Sequence, residues 1–366
     1  MGTSGCRAAV RPSPGARGCV GDVSYLDVVV PTYNRLARLK LLLSGLEQEW
    51  AGGARFGAII VVDGATDGTL DFLRGVRTAF PLQIVDQVNS GPAAARNRGL
   101  AASVAEIVLF LDDDVVPGPG LIARHRSWHE RERSAIVIGP MLVPPGRRIA
   151  PWLEWEAAML QKQYRAMLEG RYRPTPRQFY TANASVRRGL ALEAGGFDER
   201  LRRAEDVELA YRLRECGGTF YFDPDAVVYH NPDRSFESWL NVAYQYGCVA
   251  VFMAECCNRP DDLFDAVRGW DDRHPLNRML PRLCVGYPRR QRAVRATFER
   301  LIRLRHPGLP DRVRRALCSA LVNVQYWQGI ADATGLGRHT WDKLADPLTL
   351  LSGRAGPSRT PTAGRP

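Results

Sequence analysis

The sequence predicts an α/β protein: a doubly wound, mostly parallel sheet followed by a helical C-terminal appendage. Three observations predict it. Short apolar runs of strand length alternate with helix-length amphipathic segments over residues 25–111. Acidic residues follow directly on two of those apolar runs. Beyond residue 235 strand patterns cease and only helical periodicity remains.

The elements follow in order. Residues 1–22 are rich in Gly, Pro, Ser and Ala and are expected to be disordered. Tyr25–Val30 is a β-branched run ended by Pro31, hence a buried strand. Arg35–Trp50 carries leucines at 36, 39, 42, 43 and 46, a helical spacing. Phe56–Val62 is a second buried strand, and Gly68–Phe80 a helix entered through Asp67 as its N-cap. Leu82–Val85 is a short strand, Pro92–Ser103 a helix with proline in its first turn, and Ile107–Leu111 a fourth strand.

The second half opens with a strand over Ile136–Val143 and an aromatic-rich helix over 151–169. Phe179–Val186 reads as a strand, and Glu205–Cys216 as an amphipathic helix with acids in its first turn. Thr219–Phe222 and Ala226–His230 are short strands. Helices are expected at Phe236–Cys257, Arg289–Leu304 and Arg312–Ile330, and a disordered tail over 352–366.

The composition is that of a globular protein, with 45% hydrophobic and 24% charged residues, which excludes a wholly disordered chain, collagen and a small disulfide scaffold. The net charge of +11 is confined to residues 281–366, which hold 16 basic and 5 acidic side chains; residues 1–280 balance. A uniformly basic nucleic-acid binder is therefore not expected. No C-x-x-C pair occurs, so a zinc ribbon is not expected, and vicinal Cys256 and Cys257 read as buried thiols. Residues 1–22 lack the apolar core of a signal peptide, and no stretch of 18 or more apolar residues exists. A cytoplasmic protein with reduced thiols is the expectation.

Three strand ends carry candidate chemistry. Asp112-Asp113-Asp114 follows the apolar strand IVLFL. Ligands of open α/β sheets bind beyond the carboxyl ends of strands. Three adjacent carboxylates there call for a cation, and hard oxygen donors favour Mg²⁺ or Mn²⁺. The alternative is a solvated acidic turn. The second strand end, VVDGATDGT, places Asp63 to accept hydrogen bonds from a ligand, with Gly64 and Gly68 allowing close backbone approach. Alone, it is a turn and an N-cap. The third, VVVPTYNR, offers Tyr33 to flank a base ring and Asn34 to cap the next helix. Neither G-x-G-x-x-G nor G-x-x-x-x-G-K-[ST] occurs, which excludes Rossmann dinucleotide and P-loop sites.

Taken together, the sequence resembles the family 2 glycosyltransferases, which have the GT-A fold. The resemblance is carried by VVVPTYNR, VVDGATDGT, NSGPAAARN (89–97), FLDDDVVP, GGFDE (195–199) and AEDVELAYR (204–212), and covers residues 25–232. It implies a catalytic domain over 23–235, with a donor half at 23–118 and an acceptor half at 119–235. A helical C-terminal region then occupies 236–351.

It also implies a nucleotide-diphosphate sugar donor, UDP by default, and Mn²⁺ or Mg²⁺. Pro31, Tyr33 and Asp63 would line the nucleoside site, and Arg96 would lie near the donor. Asp112 would touch ribose or metal, Asp113 would face the donor nucleotide, and Asp114 would bind the metal. His230, ending the strand AVVYH, would be a further ligand; otherwise it is structural. Asp206 is the candidate general base, giving inversion at the anomeric carbon, with Glu205 on the acceptor side. In isolation, both acids simply complement a helix dipole.

One departure is that Val62 stands where the family often has a first acid before Asp63. The Q-x-x-R-W signature of processive synthases is absent, so a single addition to a saccharide, lipid-linked glycan or small-molecule hydroxyl is expected. Phe236–Ala254, with aromatic and apolar residues on more than one face, packs on the catalytic domain, lines the acceptor cleft or lies at a membrane interface. Arg289–Arg305 is a packing helix or contacts anionic lipid, so peripheral membrane contact is read within residues 236–330. Two rivals are a nucleotidyltransferase, whose Gly-rich loop is missing here, and an inactive carbohydrate- or lipid-binding module.

Overall fold

A computed structural model describes residues 25–303 and 310–343. The expected N-terminal segment 1–22 and tail 352–366, with Cys6 and Cys19, lie outside the described residues. β1 (Leu26–Thr32), α1 (Leu36–Ala51), β2 (Gly57–Asp63), α2 (Thr69–Gly75), β3 (Leu82–Gln87), α3 (Pro92–Ala102) and β4 (Ile107–Leu111) alternate as the sequence predicts. There follow β5 (Val115–Pro117), α4 (Leu121–Arg131), β6 (Ala135–Ile138), β7 (Met141–Leu142), α5 (Pro151–Leu168), β8 (Asn183–Arg187) and α6 (Arg188–Glu193). α7 (Glu205–Glu215), β9 (Thr219–Phe222) and β10 (Val228–His230) complete the strands.

The main sheet has seven strands in the order β3-β2-β1-β4-β8-β6-β9. All pairings are parallel except those of β8, which runs against both β4 and β6. The chain winds outward from β1 to β3, then returns to lay β4 on the other side of β1. That reversal opens a crevice at the carboxyl ends of β1 and β4, where open sheets bind ligands. A small three-stranded sheet, β5-β10-β7, adjoins it and brings His230 opposite Val115.

The period-two alternation of the strands explains why both faces are apolar. Val28, Ile60 and Leu109 face one core with Leu39, Leu42 and Leu46 of α1. Val29, Ile59, Val108 and Phe110 face the other, beneath α3, α6 and α7. Every side chain of β4 is fully buried. At about 1.5–3 kcal/mol for each large apolar side chain, such a strand anchors the acidic triplet that follows it.

The predicted strand over Ile136–Val143 is divided into β6 and β7 at Gly139-Pro140, where an added Cβ would collide with the Ala226 carbonyl. α4 was not legible as a helix because its inward stripe uses buried His125 and His129 beside Leu121 and Ile122. Both rings sit against Ser185 of β8, at 2.8 Å each, and His125 also meets Asn183 at 3.0 Å. Burial lowers their pKa values, to about 4 and about 3.

Two caps are crossed relative to expectation. Asp67 accepts from the Leu36 N–H (2.9 Å), capping α1 from another loop, while its other oxygen accepts from Thr69. Asn34 accepts instead from the Thr66 N–H at 2.7 Å. The two loops therefore brace each other at the rim of the crevice.

Beyond residue 235 stand α8 (Phe236–Cys256), α9 (Asp261–Arg268), α10 (Pro275–Cys284), α11 (Pro288–Arg303) and α12 (Asp311–Thr334). α9 and α10 escaped sequence reading; they are short, and Pro281 interrupts the second. α8 and α12 cross closely through Gly247 and Gly329, each pressed on a carbonyl of the other helix. Val249 and Met253 of α8 pack on Ala204, Val207 and Tyr211. Both apolar faces of α8 are thus spent on protein. Likewise Val294, Phe298 and Ile302 of α11 pack inward. Cys256 is exposed and Cys257 half-buried, so this pair is not the buried one expected.

Candidate active site

β1, β2 and β4 each end in a polar segment, so three motifs distant in sequence share one rim. Pro31 is half-buried and Tyr33 is 50% exposed, an aromatic face open to the crevice mouth. Asp63 ends β2 and is buried. Its carboxylate accepts from Gln87 Nε2 (2.8 Å) and from the Ser90 and Gly91 N–H groups (2.7 and 2.9 Å). Its first task is therefore to hold the loop that enters α3. Gly64 is held at a φ of +72° with Asn89 packed against it, where a side chain has no room. Gly68 has the left-handed backbone but open surroundings, so close approach is not its purpose.

The acidic triplet divides three ways. Asp112 accepts from Arg96 at 2.7 Å. Asp113 turns inward, accepting from the Thr32 hydroxyl (2.8 Å) and from Arg35 (3.2 Å). Burial outweighs Arg35 and raises its pKa to about 6. Asp114 meets Arg35 at 2.7 Å, Arg38 at 3.2 Å and His230 Nε2 at 3.5 Å. Burial alone would raise its pKa; the His230 hydrogen bond and the charges of His230, Arg35 and Arg38 prevail and hold it near 2. Thr32, Arg35 and Arg38 had no role assigned from sequence. Arg35 closes the VVVPTYNR motif and Arg38 lies one helical turn on, the available signal.

Carboxylates with an imidazole are donors of the kind that suit a divalent cation, and here Asp114 is paired with Arg35 and Arg38. Asp114, in the turn between β4 and β5, and His230, which ends β10 beside β5, bring a carboxylate and an imidazole within 3.5 Å. Beside them Asn231 keeps a buried side-chain oxygen with no hydrogen-bond partner. Among the described residues no group of three or more His, Cys, Asp or Glu side chains is placed to hold a metal ion. An ion bound by one or two protein ligands and completed by substrate phosphates is the usual arrangement for Mg²⁺.

Across the crevice, α7 begins at Glu205, with Ala204 as its N-cap at a φ of +56°, so Glu205 and Asp206 form the helix's first turn. Glu205 is buried on Arg96 (2.8 Å), so the Arg96 guanidinium bridges Asp112 and Glu205 over 16 and 109 residues of sequence. Glu205 thus reaches across the cleft to the Arg96 guanidinium. Charge–charge attraction to these acids keeps the Arg96 pKa raised although burial opposes it. Asp206 is half-buried, and within the site its carboxylate accepts from the Val207 N–H at 2.8 Å. Burial, reinforced by neighbouring Glu205, raises its pKa to about 7 despite Arg96. A carboxylate poised near neutrality beside a cleft suits general-base work.

Sheet order, crevice and acidic rim together define a GT-A glycosyltransferase fold. The model of glycosyl transferase family 2 matches residues 27–193 of the chain. It is 29% identical over 232 residues to the pre-mycofactocin glycosyltransferase of Mycobacterium tuberculosis, covering 63% of this chain and 47% of that protein. It is 32% identical over 240 residues to the validoxylamine A glucosyltransferase of Streptomyces hygroscopicus subsp. limoneus, covering 57% and 51%. The chain thus spans about half the length of these curated relatives. Among solved structures, a mannosyltransferase from Pyrobaculum calidifontis in complex with GDP-Man and Mn²⁺ superposes with a TM-score of 0.55. Identity there is 19%, covering 87% of this chain and 89% of that one; this likeness shows the fold.

Proposed function

We propose that the protein is an inverting, metal-dependent, non-processive glycosyltransferase. It moves one sugar from a nucleotide-diphosphate sugar, UDP by preference, to an acceptor hydroxyl. The observation that carries this reading is Arg96: one buried guanidinium ties the donor acid Asp112 to the start of the helix that bears Asp206. Donor and base are thereby held in fixed relation, the condition for in-line displacement.

Tyr33, Pro31 and the Asp63-braced loop take the nucleoside. Asp114 and His230 would hold Mn²⁺ or Mg²⁺, with Asp112 at the donor floor and inward-turned Asp113 bracing the triplet on Thr32 and Arg35. When bound, the ion offsets charge growing on the diphosphate. Asp206 takes the acceptor proton while the acceptor oxygen bonds to the anomeric carbon. The bond from that carbon to the diphosphate breaks on the opposite face, and its electron pair leaves with the diphosphate. The relatives named as glycosyltransferases support this reaction class. Absence of Q-x-x-R-W supports a single addition. We divide the chain into a catalytic domain, 23–235, and a helical region, 236–351.

Thermal-shift measurements with UDP, GDP and dTDP, each with Mn²⁺, test the donor. UDP should give the largest stabilisation, since a ligand at 100 times its Kd adds about 2.7 kcal/mol. Equal shifts with and without every nucleotide would contradict the reading.

Peripheral membrane contact, if the acceptor is lipid-linked, would rest on α10 and α11. Met279 and Leu283 are exposed there beside exposed Arg282, Arg289 and Arg290. No helix of the described residues is long and apolar enough to cross a membrane. Co-sedimentation with phosphatidylglycerol vesicles, lost in Met279→Glu/Leu283→Glu, is the test.

A further inference from the structure

The helical region lies on the catalytic domain at one informative place. Val249 and Met253 of α8 pack on Ala204, Val207 and Tyr211, so α8 lies along the helix that begins at Glu205. Tyr246 precedes Val249 by three residues and Met253 by seven, which puts it on the same stripe of α8. Its neighbour Gln245 accepts from Arg203 Nε at 2.9 Å, tying this turn of α8 to the residues just before Glu205 and Asp206. Tyr246 is nonetheless 42% exposed, although it lies on a helix that buries Val249 and Met253.

A second tyrosine, Tyr180, follows Phe179, which packs in one core with Leu209, Ala210 and Leu213 of α7. The Tyr180 hydroxyl donates to Gln163 Oε1 of α5 at 3.1 Å. α5 and the start of α8 are joined by Arg234, which holds both oxygens of Glu156 at 2.9 and 3.0 Å. Burial raises the Tyr180 phenol, and the Tyr246 ring and the Asp206 carboxylate add to that shift. The wall beside Asp206 is therefore built from two phenols, an amide and carboxylates. Of its nearby cations, Arg234 is paired with Glu156, and Arg203 donates to the neutral amide of Gln245.

We propose that Tyr246 and Tyr180 form the platform on which the acceptor rests, and that the platform takes an uncharged, hydroxyl-bearing ring. Tyrosine offers an apolar face to the ring's C–H groups and a polar edge to its hydroxyls. Glu205 and Glu156 are paired with Arg96 and Arg234, so Asp206 is the acid of this wall that disfavours an anion and accepts hydrogen bonds from hydroxyls. The C-terminal helical region is by this account part of the active site. The proposal takes from the glycosyltransferase reading only the identity of Asp206 as the group the acceptor must face.

Saturation-transfer NMR on the full chain, with cellobiose and glucuronic acid as probes, tests it. Cellobiose should receive saturation from the wild-type protein and from Tyr246→Phe, and glucuronic acid should not. Tyr246→Ala should weaken cellobiose binding by roughly 3- to 10-fold, the worth of one aromatic contact. The exposed position of Tyr246 makes loss of folding an unexpected outcome, and an unchanged UDP thermal shift checks it. Equal cellobiose binding by Tyr246→Ala, no cellobiose signal from wild type, or glucuronic acid binding as well as cellobiose would each overturn the proposal. Asp206→Asn separates the two readings. If it keeps full turnover while Tyr246→Ala loses cellobiose, the base assignment fails and the platform stands. If it loses turnover while Tyr246→Ala binds normally, the reverse holds.

Discussion

On the proposed donor side of the crevice Asp114 lies among Arg35, Arg38 and His230, and its pKa is held near 2; on the proposed acceptor side half-buried Asp206 lies beside Glu205, and its pKa rises to about 7. The two residues are chemically identical. Their surroundings make one a permanent anion, suited to a cation and a diphosphate, and the other a proton acceptor at neutral pH. Arg96 joins the two sides, its charge shared between Asp112 and Glu205.

The comparison can be broken first at Asp206. Asp206→Asn should lower turnover of the donor sugar by about 10²- to 10⁴-fold, the usual worth of a general base. The UDP-induced thermal shift should be unchanged. The same variant should be more stable than wild type above pH 7. The folded protein keeps a proton on Asp206 that the unfolded chain releases near 3.8. Stability from this group is therefore complete at low pH and is lost as pH rises through about 7. Urea unfolding of both proteins at pH 8 checks the sign; a less stable variant would contradict it.

Next comes the bridge. Arg96→Met leaves buried Glu205 without its cation and should cost about 3–5 kcal/mol in urea unfolding. Arg96→Met/Glu205→Leu should recover most of that loss. A double variant as unstable as the single one would show that the pair is not what matters there. On the donor side, Asp114→Asn should abolish most of the roughly 2–3 kcal/mol that saturating UDP with Mn²⁺ contributes, while leaving turnover-independent folding intact. A full UDP shift in that variant would remove Asp114 from the donor site. The smallest effect is expected at Thr32→Val, which removes one buried hydrogen bond to Asp113 and should cost about 1 kcal/mol.

Much of this site was legible because it lies at strand ends. The strand IVLFL announces both its own burial and the place of Asp112–Asp114, and the acids opening α7 stand out from its amphipathic pattern. What could not be read is where side chains 100 residues apart meet. Nothing near Arg96 in sequence points to Glu205, and nothing in the aromatic run of α8 distinguishes Tyr246 from its packed neighbours. α4 was hidden because histidines stand in its core stripe, a choice that only Ser185 and Asn183 make tenable. The crossed caps show the same limit. Asp67 and Asn34 each have the chemistry to cap a helix, but which N–H each receives is decided by the approach of two loops.

The division of labour between the two sides is tested most directly by the pH dependence of UDP release from UDP-glucose with Mn²⁺, in wild type and Asp206→Asn. The wild-type rate should rise through about pH 7 and then level off. The variant should be at least about 100-fold slower and flat over the same range. A variant that matches the wild-type rate and rises with the same profile would contradict the assignment of Asp206 as the base.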